Sequence, residues 1–226
     1  YAGVTWSNVP SADGRRLFIG WMSNWDYAQV VPTTAWRSAM TLPRSLQLRQ
    51  QNNQHYLQML PVHELSQLRQ RFEVTELSGL VDSIDLSSKD ISIHQSEWEI
   101  EVALVDTTTE QILLELSNTK GEVYQVGYHV KHNHYLSNRT KAGNHSFSNK
   151  FGSSIHTAPR VVDGNRIKLH LFIDASSAEL FADDGMTCIT ELLFPTAPFT
   201  RLQLISKGGK VKPLTITGYP LQRIWD

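Results

Sequence analysis

Trp21, Asn24, Trp25, Trp36 and Arg37 fall within one short strand-like stretch, with Asp26 and Tyr27 between them. An indole ring offers a flat apolar face to the C–H face of a sugar, and nearby amides, hydroxyls and carboxylates can bond its hydroxyls. The combination is the chemistry of a carbohydrate-binding surface. Trp25 sits in a loop flanked by polar residues and is the expected sugar-contacting ring, with Asn24, Tyr27 and Asp26 supplying the polar part. Trp21 and Trp36 are expected to be core aromatics of their own sheet. Arg37 and Arg44 are expected to pair with carbonyls or acidic groups of that same unit.

Other groups capable of chemistry read as structural. His129, His132 and His134 are close in sequence, but their spacing on strands places them on opposing faces, so a shared metal is not expected. Asp183-Asp184-Gly185 ends an apolar run and reads as a β-turn. Glu97, Glu99 and Glu101 alternate with Trp98, Ile100, Val102 and Leu104, which gives a charged strand face opposite an apolar one. Gly208-Gly209 reads as a hairpin tip, since no helix follows to make it a phosphate cradle. Ser176 and Ser177 have no His and Asp in an arrangement that would activate a hydroxyl.

The elements that must hold these residues are strands. Period-two alternation or short apolar runs bounded by turn residues recur along nearly the whole chain. Residues 1–8, 16–21 and 36–41 are predicted strands, with Leu17 to Gly20 buried on both faces; 45–49 and 55–60 form a hairpin. About one propeller blade has strands of this size and number. Leu65, Leu68 and Phe72 then make a short helical stripe. Beyond it, strands are predicted at 96–106, 111–116, 122–131, 167–173, 178–181, 187–194 and 202–206, a pattern that suggests a two-sheet sandwich.

The 226 residues carry 21 Lys plus Arg against 22 Asp plus Glu, a formal net charge of -1. That balance gives no electrostatic footprint for nucleic acid or an acidic membrane. No stretch approaches the roughly 18 apolar residues of a membrane-spanning helix. Cys188 is the single cysteine; it forms no internal disulfide and reads as a small apolar strand residue. Asn138-Arg139-Thr140 and Asn144-His145-Ser146 match the glycosylation triplet, a frequent chance occurrence. The chain opens on Tyr1 inside a β-pattern, so an upstream part is expected to have been removed.

Residues 21–44, WMSNWDYAQVVPTTAWRSAMTLPR, resemble the last propeller blade of glycoside hydrolase family 32, the invertases, inulinases and levanases. Residues 169–195, LHLFIDASSAELFADDGMTCITELLFP, resemble the signature hairpin of that family's C-terminal sandwich. Asp174, Ser176-Ser177, Glu179, Phe181, Asp184-Gly185 and Phe194-Pro195 stand at its pattern positions. Residues 138–151, NRTKAGNHSFSNKF, resemble a third segment, with Asn138 where Asp is common; in the hairpin, Ala175 stands where Arg is common.

The resemblance implies an all-β chain: the terminal blade of a five-bladed β-propeller (1–62), a short linker (63–72) and a C-terminal β-sandwich (73–226). It implies a parent that cleaves β-fructofuranosides with retention, of the exo-inulinase or levanase type, and it places Trp25 on the fructose pocket. The expected partners are a fructose-containing oligo- or polysaccharide and the missing N-terminal propeller part, with no nucleic acid, no membrane and no cofactor. A secreted or periplasmic location suits such a parent.

Retaining hydrolysis needs two carboxyl groups about 5 to 5.5 Å apart. In this family they lie in Asn-Asp-Pro and Glu-Cys segments, with a stabilising Asp in an Arg-Asp-Pro segment, and none of the three occurs in the sequence. The chain alone is therefore expected to be inactive, with its sandwich stabilising the propeller. Two rival readings are a lectin-like sandwich that binds oligosaccharide itself and a structural or oligomerising domain. Oligosaccharide affinity that survives removal of residues 1 to 62 would mark the first, and a concentration-dependent mass the second.

Overall fold

The computed structural model describes residues 1–71, 73, 74 and 79–224. It is built from β-strands with a few short 3₁₀ turns among the described residues. A four-stranded antiparallel sheet comes first: β1 (Val4–Thr5), β2 (Arg16–Ile19), β3 (Arg44–Gln51) and β4 (Gln54–Pro61), in sequence order. Asn52 and Asn53, with φ of 50° and 60°, make the tight β3–β4 turn, a backbone region that Asn tolerates better than most residues.

The predicted third strand at 36–41 does not form. Only an isolated bridge, Trp21 to Met40, closes the segment against β2's end. Ser38 adopts a φ of 76°, which breaks the pleat and carries Trp36 and Arg37 outward. Leu17, Phe18 and Ile19 are half-buried rather than buried on both faces. One sheet layer without a second cannot enclose a strand.

A 3₁₀ helix, His63–Leu68, follows, with Leu65 and Leu68 half-buried; Phe72, the third residue of the predicted stripe, lies outside the described residues. The chain is then pinned to its own far end. Gln70 N–H donates to the Pro220 carbonyl and Gln222 N–H to that of Leu68.

The remaining strands are β5 (Glu73–Val74), β6 (Ser83–Asp85), β7 (Ser96–Leu104), β8 (Gln111–Ser117), β9 (Val123–His129) and β10 (His134–Lys141). After them come β11 (His156–Pro159), β12 (Arg166–Asp174), β13 (Ser177–Ala182), β14 (Thr187–Leu192), β15 (Arg201–Lys207) and β16 (Val211–Pro220). They form two six-stranded antiparallel sheets, ordered β11-β10-β9-β8-β15-β6 and β14-β13-β12-β7-β16-β5. Alternate residues of facing strands fill the core between them: Trp98, Ile100 and Val102 of β7, Ile112, Leu114 and Leu116 of β8, Ile167, Leu169 and Leu171 of β12. This is the two-layer burial that period-two patterning encodes. Gly208-Gly209 is not a hairpin tip, because β15 and β16 belong to different sheets. The corner passes so close to residues 106–109 that a Cβ on Gly209 would lie 2.5 Å from the Thr108 hydroxyl.

Candidate functional site

Trp25 stands at the tip of the loop that leaves β2. Asn24 builds the turn: its Oδ1 accepts the Asp26 N–H at 2.9 Å and its carbonyl accepts the N–H groups of Tyr27 and Ala28. Trp25 is 65% exposed. Its ring rests on Trp21, with centroids 5.1 Å apart and planes tilted by 55°. Trp21 is half-buried and leans in turn on Tyr1, so an aromatic row supports the exposed indole. Trp36, expected in the core, is exposed as well.

The three predicted sugar-site residues share this one turn, but they do not all face outward. Asn24 and Trp25 are exposed, whereas Tyr27 is buried. Its ring meets Phe151 edge-on at 5.0 Å, and Arg139 Nη2 donates to its hydroxyl at 3.4 Å. Tyr27, Val31, Phe151, Leu192 and Phe194 form a second apolar cluster, apart from the sandwich core. The turn that presents Trp25 is therefore rooted in the C-terminal domain. Asp26 is engaged too, by Lys150 Nζ at 2.7 Å.

Phe151, Lys150 and Arg139 were not among the predicted site residues, although all three lie in the family-like segment 138–151. Arg139 is 3% exposed and stacks over Phe151 at 3.9 Å. It also pairs with the buried Glu191 at 3.0 Å, whose other oxygen meets His156 Nδ1. A cleft of about 360 Å³ lies where the first sheet meets the sandwich, lined by Trp21, Asn24, Tyr27, Arg44, Arg139 and Glu191 among others.

Arg37 donates to the carbonyls of Gln29 and Thr33, within its own unit as expected. Arg44 does not: its carboxylate partner is Glu179 of β13, in the sandwich, with the Thr190 hydroxyl alongside at 2.6 Å. Glu179 completes the join by accepting the Leu42 N–H at 2.6 Å. The two oppositely charged groups are almost fully buried, which requires that each neutralise the other.

Glu97 also departs from its predicted solvated face. It is 1% exposed, covered by Arg69 and by His170 Nε2 at 2.6 Å. Burial raises its carboxyl pKa, but the bonds from Arg69 and His170 outweigh that, and the net shift is downward. Glu97, Glu99 and His170 have ligand atoms near enough to one another to hold a cation. Arg69 already bridges the two carboxylates there, so a guanidinium fills that role.

The three clustered histidines are not on opposing faces. Cross-strand pairing sets His134 opposite His129 at the end of the β9–β10 hairpin, and His132 folds in from the turn. The His129 and His132 rings are 4.4 Å apart, centroid to centroid. Among the described residues, their ring nitrogens do not converge as the carboxylate oxygens of Glu97 and Glu99 and the His170 nitrogen do. Asp183-Asp184-Gly185 does form a turn, and Asp183 within it is held by Tyr135 at 2.6 Å and Arg160 at 2.8 Å.

Residues 64–219 match the family described as Glycosyl hydrolases family 32 C terminal, and residues 1–61 match the Glycosyl hydrolases family 32 N-terminal domain. The chain is 33% identical over 229 residues to a levanase of Bacillus subtilis (strain 168), covering all of this chain and 33% of that protein. It is 29% identical over 230 residues to the extracellular exo-inulinase inuE of Aspergillus niger, covering 42% of that protein. The chain thus spans well under half the length of these relatives.

Among solved structures, the exo-inulinase from Aspergillus awamori superposes with a TM-score of 0.84 at 24% identity, over all of this chain and 43% of that one. A β-fructofuranosidase from Schwanniomyces occidentalis, complexed with fructosyl-erythritol, superposes with a TM-score of 0.81 at 20% identity, over 99% of this chain and 48% of that one. At these identities the structures speak for the fold. With both of its parts matched in the family's own order, the chain belongs to glycosyl hydrolase family 32.

Proposed function

We propose that this chain is the C-terminal portion of a retaining β-fructosidase of the levanase or exo-inulinase type, with residues 1–62 as the last propeller blade, 63–72 as linker and 73–226 as sandwich. The observation that carries it is the family match over both parts in order, joined to likeness to a levanase and an exo-inulinase along the whole chain. Trp25 and Asn24 form one wall of the sugar site, and Tyr27 anchors that wall from beneath. The exposed indole takes the C–H face of a fructosyl unit, and the Asn24 amide bonds a hydroxyl. Fructose-containing saccharides in the structures of relatives support the ligand class.

Bond cleavage needs the nucleophile and acid/base carboxyl groups that relatives carry in segments this sequence does not contain. By itself the chain binds and does not cut. Reproducible release of fructose from levan, inulin or sucrose by the purified chain would refute this. The lectin-like alternative draws little support from β7, where Trp98 is 2% exposed and faces the core. Saturation-transfer NMR with fructose tests the wall directly: signal from the chain, lost in Trp25→Ala, is the expected result.

A further inference from the structure

The loop carrying Trp25 is closed at its base by the first sheet but fastened at its tip by the sandwich. At the base, Met22 N–H donates to the Ala39 carbonyl and Thr41 N–H to that of Gly20. At the tip, Tyr27 and Val31 are inserted among Phe151, Leu192 and Phe194, and Lys150 holds Asp26, the residue after Trp25. Trp25 is mostly exposed, and its ring is held only along the side that rests on Trp21. Its backbone turn carries the ring onto Trp21, and the turn is anchored to residues more than a hundred positions away.

The anchoring loop is itself constrained. Asn144 N–H donates to the Phe194 carbonyl, and Gly143 lies so close to residues 194 and 195 that a Cβ there would be 2.1 Å from the Phe194 carbonyl oxygen. Arg139 lies over the Phe151 ring and reaches the Leu192 carbonyl and Glu191. Lys150 and Phe151 are thus presented from a rigid base. Binding groups whose supporting residues are locked lose less freedom on meeting a ligand.

We infer that Phe151 and Lys150 are positioning residues for Trp25, so that the sandwich tunes sugar affinity and does more than stabilise its neighbour. This rests on the reading of Trp25 as sugar wall. The test uses the isotope-labelled chain, with the Trp25 indole N–H cross-peak identified by its loss in Trp25→Phe. Phe151→Ala should shift and broaden that peak while the peak of Trp98, inside the sandwich core, stays in place. Phe151→Leu should recover part of the change. Lys150→Ala removes only an exposed pair, leaves folding intact, and should give a smaller shift of the same peak; it decides the matter alone if Phe151→Ala does not fold.

Fructose affinity followed on the same samples should fall roughly tenfold in Phe151→Ala, the ratio that about 1.4 kcal/mol produces. An unmoved Trp25 peak in both variants overturns the inference, as does fructose binding of equal strength in wild type and variants, which leaves the sugar reading standing. A Trp25 peak that moves with Phe151→Ala in a chain that never responds to fructose retains the positioning and removes the sugar reading.

Discussion

Arg44 of the first sheet and Glu179 of the sandwich form a buried ion pair across 135 positions of sequence. The pair joins the two sheets, and Phe181 lies beneath the guanidinium at 5.1 Å.

Removing one partner strands a charge in a dry interface. Arg44→Ala should destabilise the chain by about 3 to 5 kcal/mol, while the double change Arg44→Met with Glu179→Leu should recover most of that. Urea unfolding monitored by tryptophan fluorescence measures both. Equal loss in the single and double variants would show that packing volume, not charge pairing, matters there.

Glu97 supplies a pH dependence whose sign follows from its shift. Its folded pKa is depressed below the ordinary value of about 4.3. The stability it contributes is therefore fully present above that value and is lost as pH falls through the lower folded value. Stability against pH should decline below about 4 in the native chain, and Glu97→Gln should make that decline shallower. Parallel curves for the two proteins would contradict the assignment.

Gly185 sits where the sandwich touches β4. Its φ is 77°, its carbonyl accepts the Met59 N–H at 2.9 Å, and a Cβ would lie 2.0 Å from the Met59 carbonyl oxygen. Gly185→Ala should push the first sheet off the sandwich while leaving the sandwich core folded. Limited proteolysis should then cut faster near residues 62–72, and an unchanged digestion pattern would argue that the contact is dispensable.

Cys188 should be inert as a nucleophile. Burial pushes its thiol up to about 11, with Arg44 opposing and Glu179 reinforcing that shift, so little thiolate exists at neutral pH. A thiol reagent should leave the folded chain unlabelled at pH 7 and label one site per chain in denaturant. Rapid labelling of the folded protein would reverse this.

Much of the fold was legible beforehand because half-buried strands write their geometry directly as alternation. The inward residues of β7, β8 and β12 follow that rule, while the turn at Asp184-Gly185 is legible from residue types that tolerate positive φ. The segment at 36–41 did not, since a single left-handed residue, Ser38, cancels an extended run without altering its composition. Strand β16 is not legible in the sequence because Pro213 and Gly218 interrupt its alternation; Gly218 is there to admit the Trp98 ring, 2.6 Å from where its Cβ would be.

The all-β class, the sandwich core, the family-like segments and the turn that exposes Trp25 can be read from the order of the amino acids, because each depends on neighbours a few positions apart. Which charges are buried, and against what, is settled only once the sheets have packed together. Arg44 with Glu179, Arg69 with Glu97 and Arg139 with Glu191 join residues from 28 to 135 positions apart. No local period encodes such pairs; they exist because folding brings one sheet's edge against another's, and each desolvated charge there must find its counter-charge.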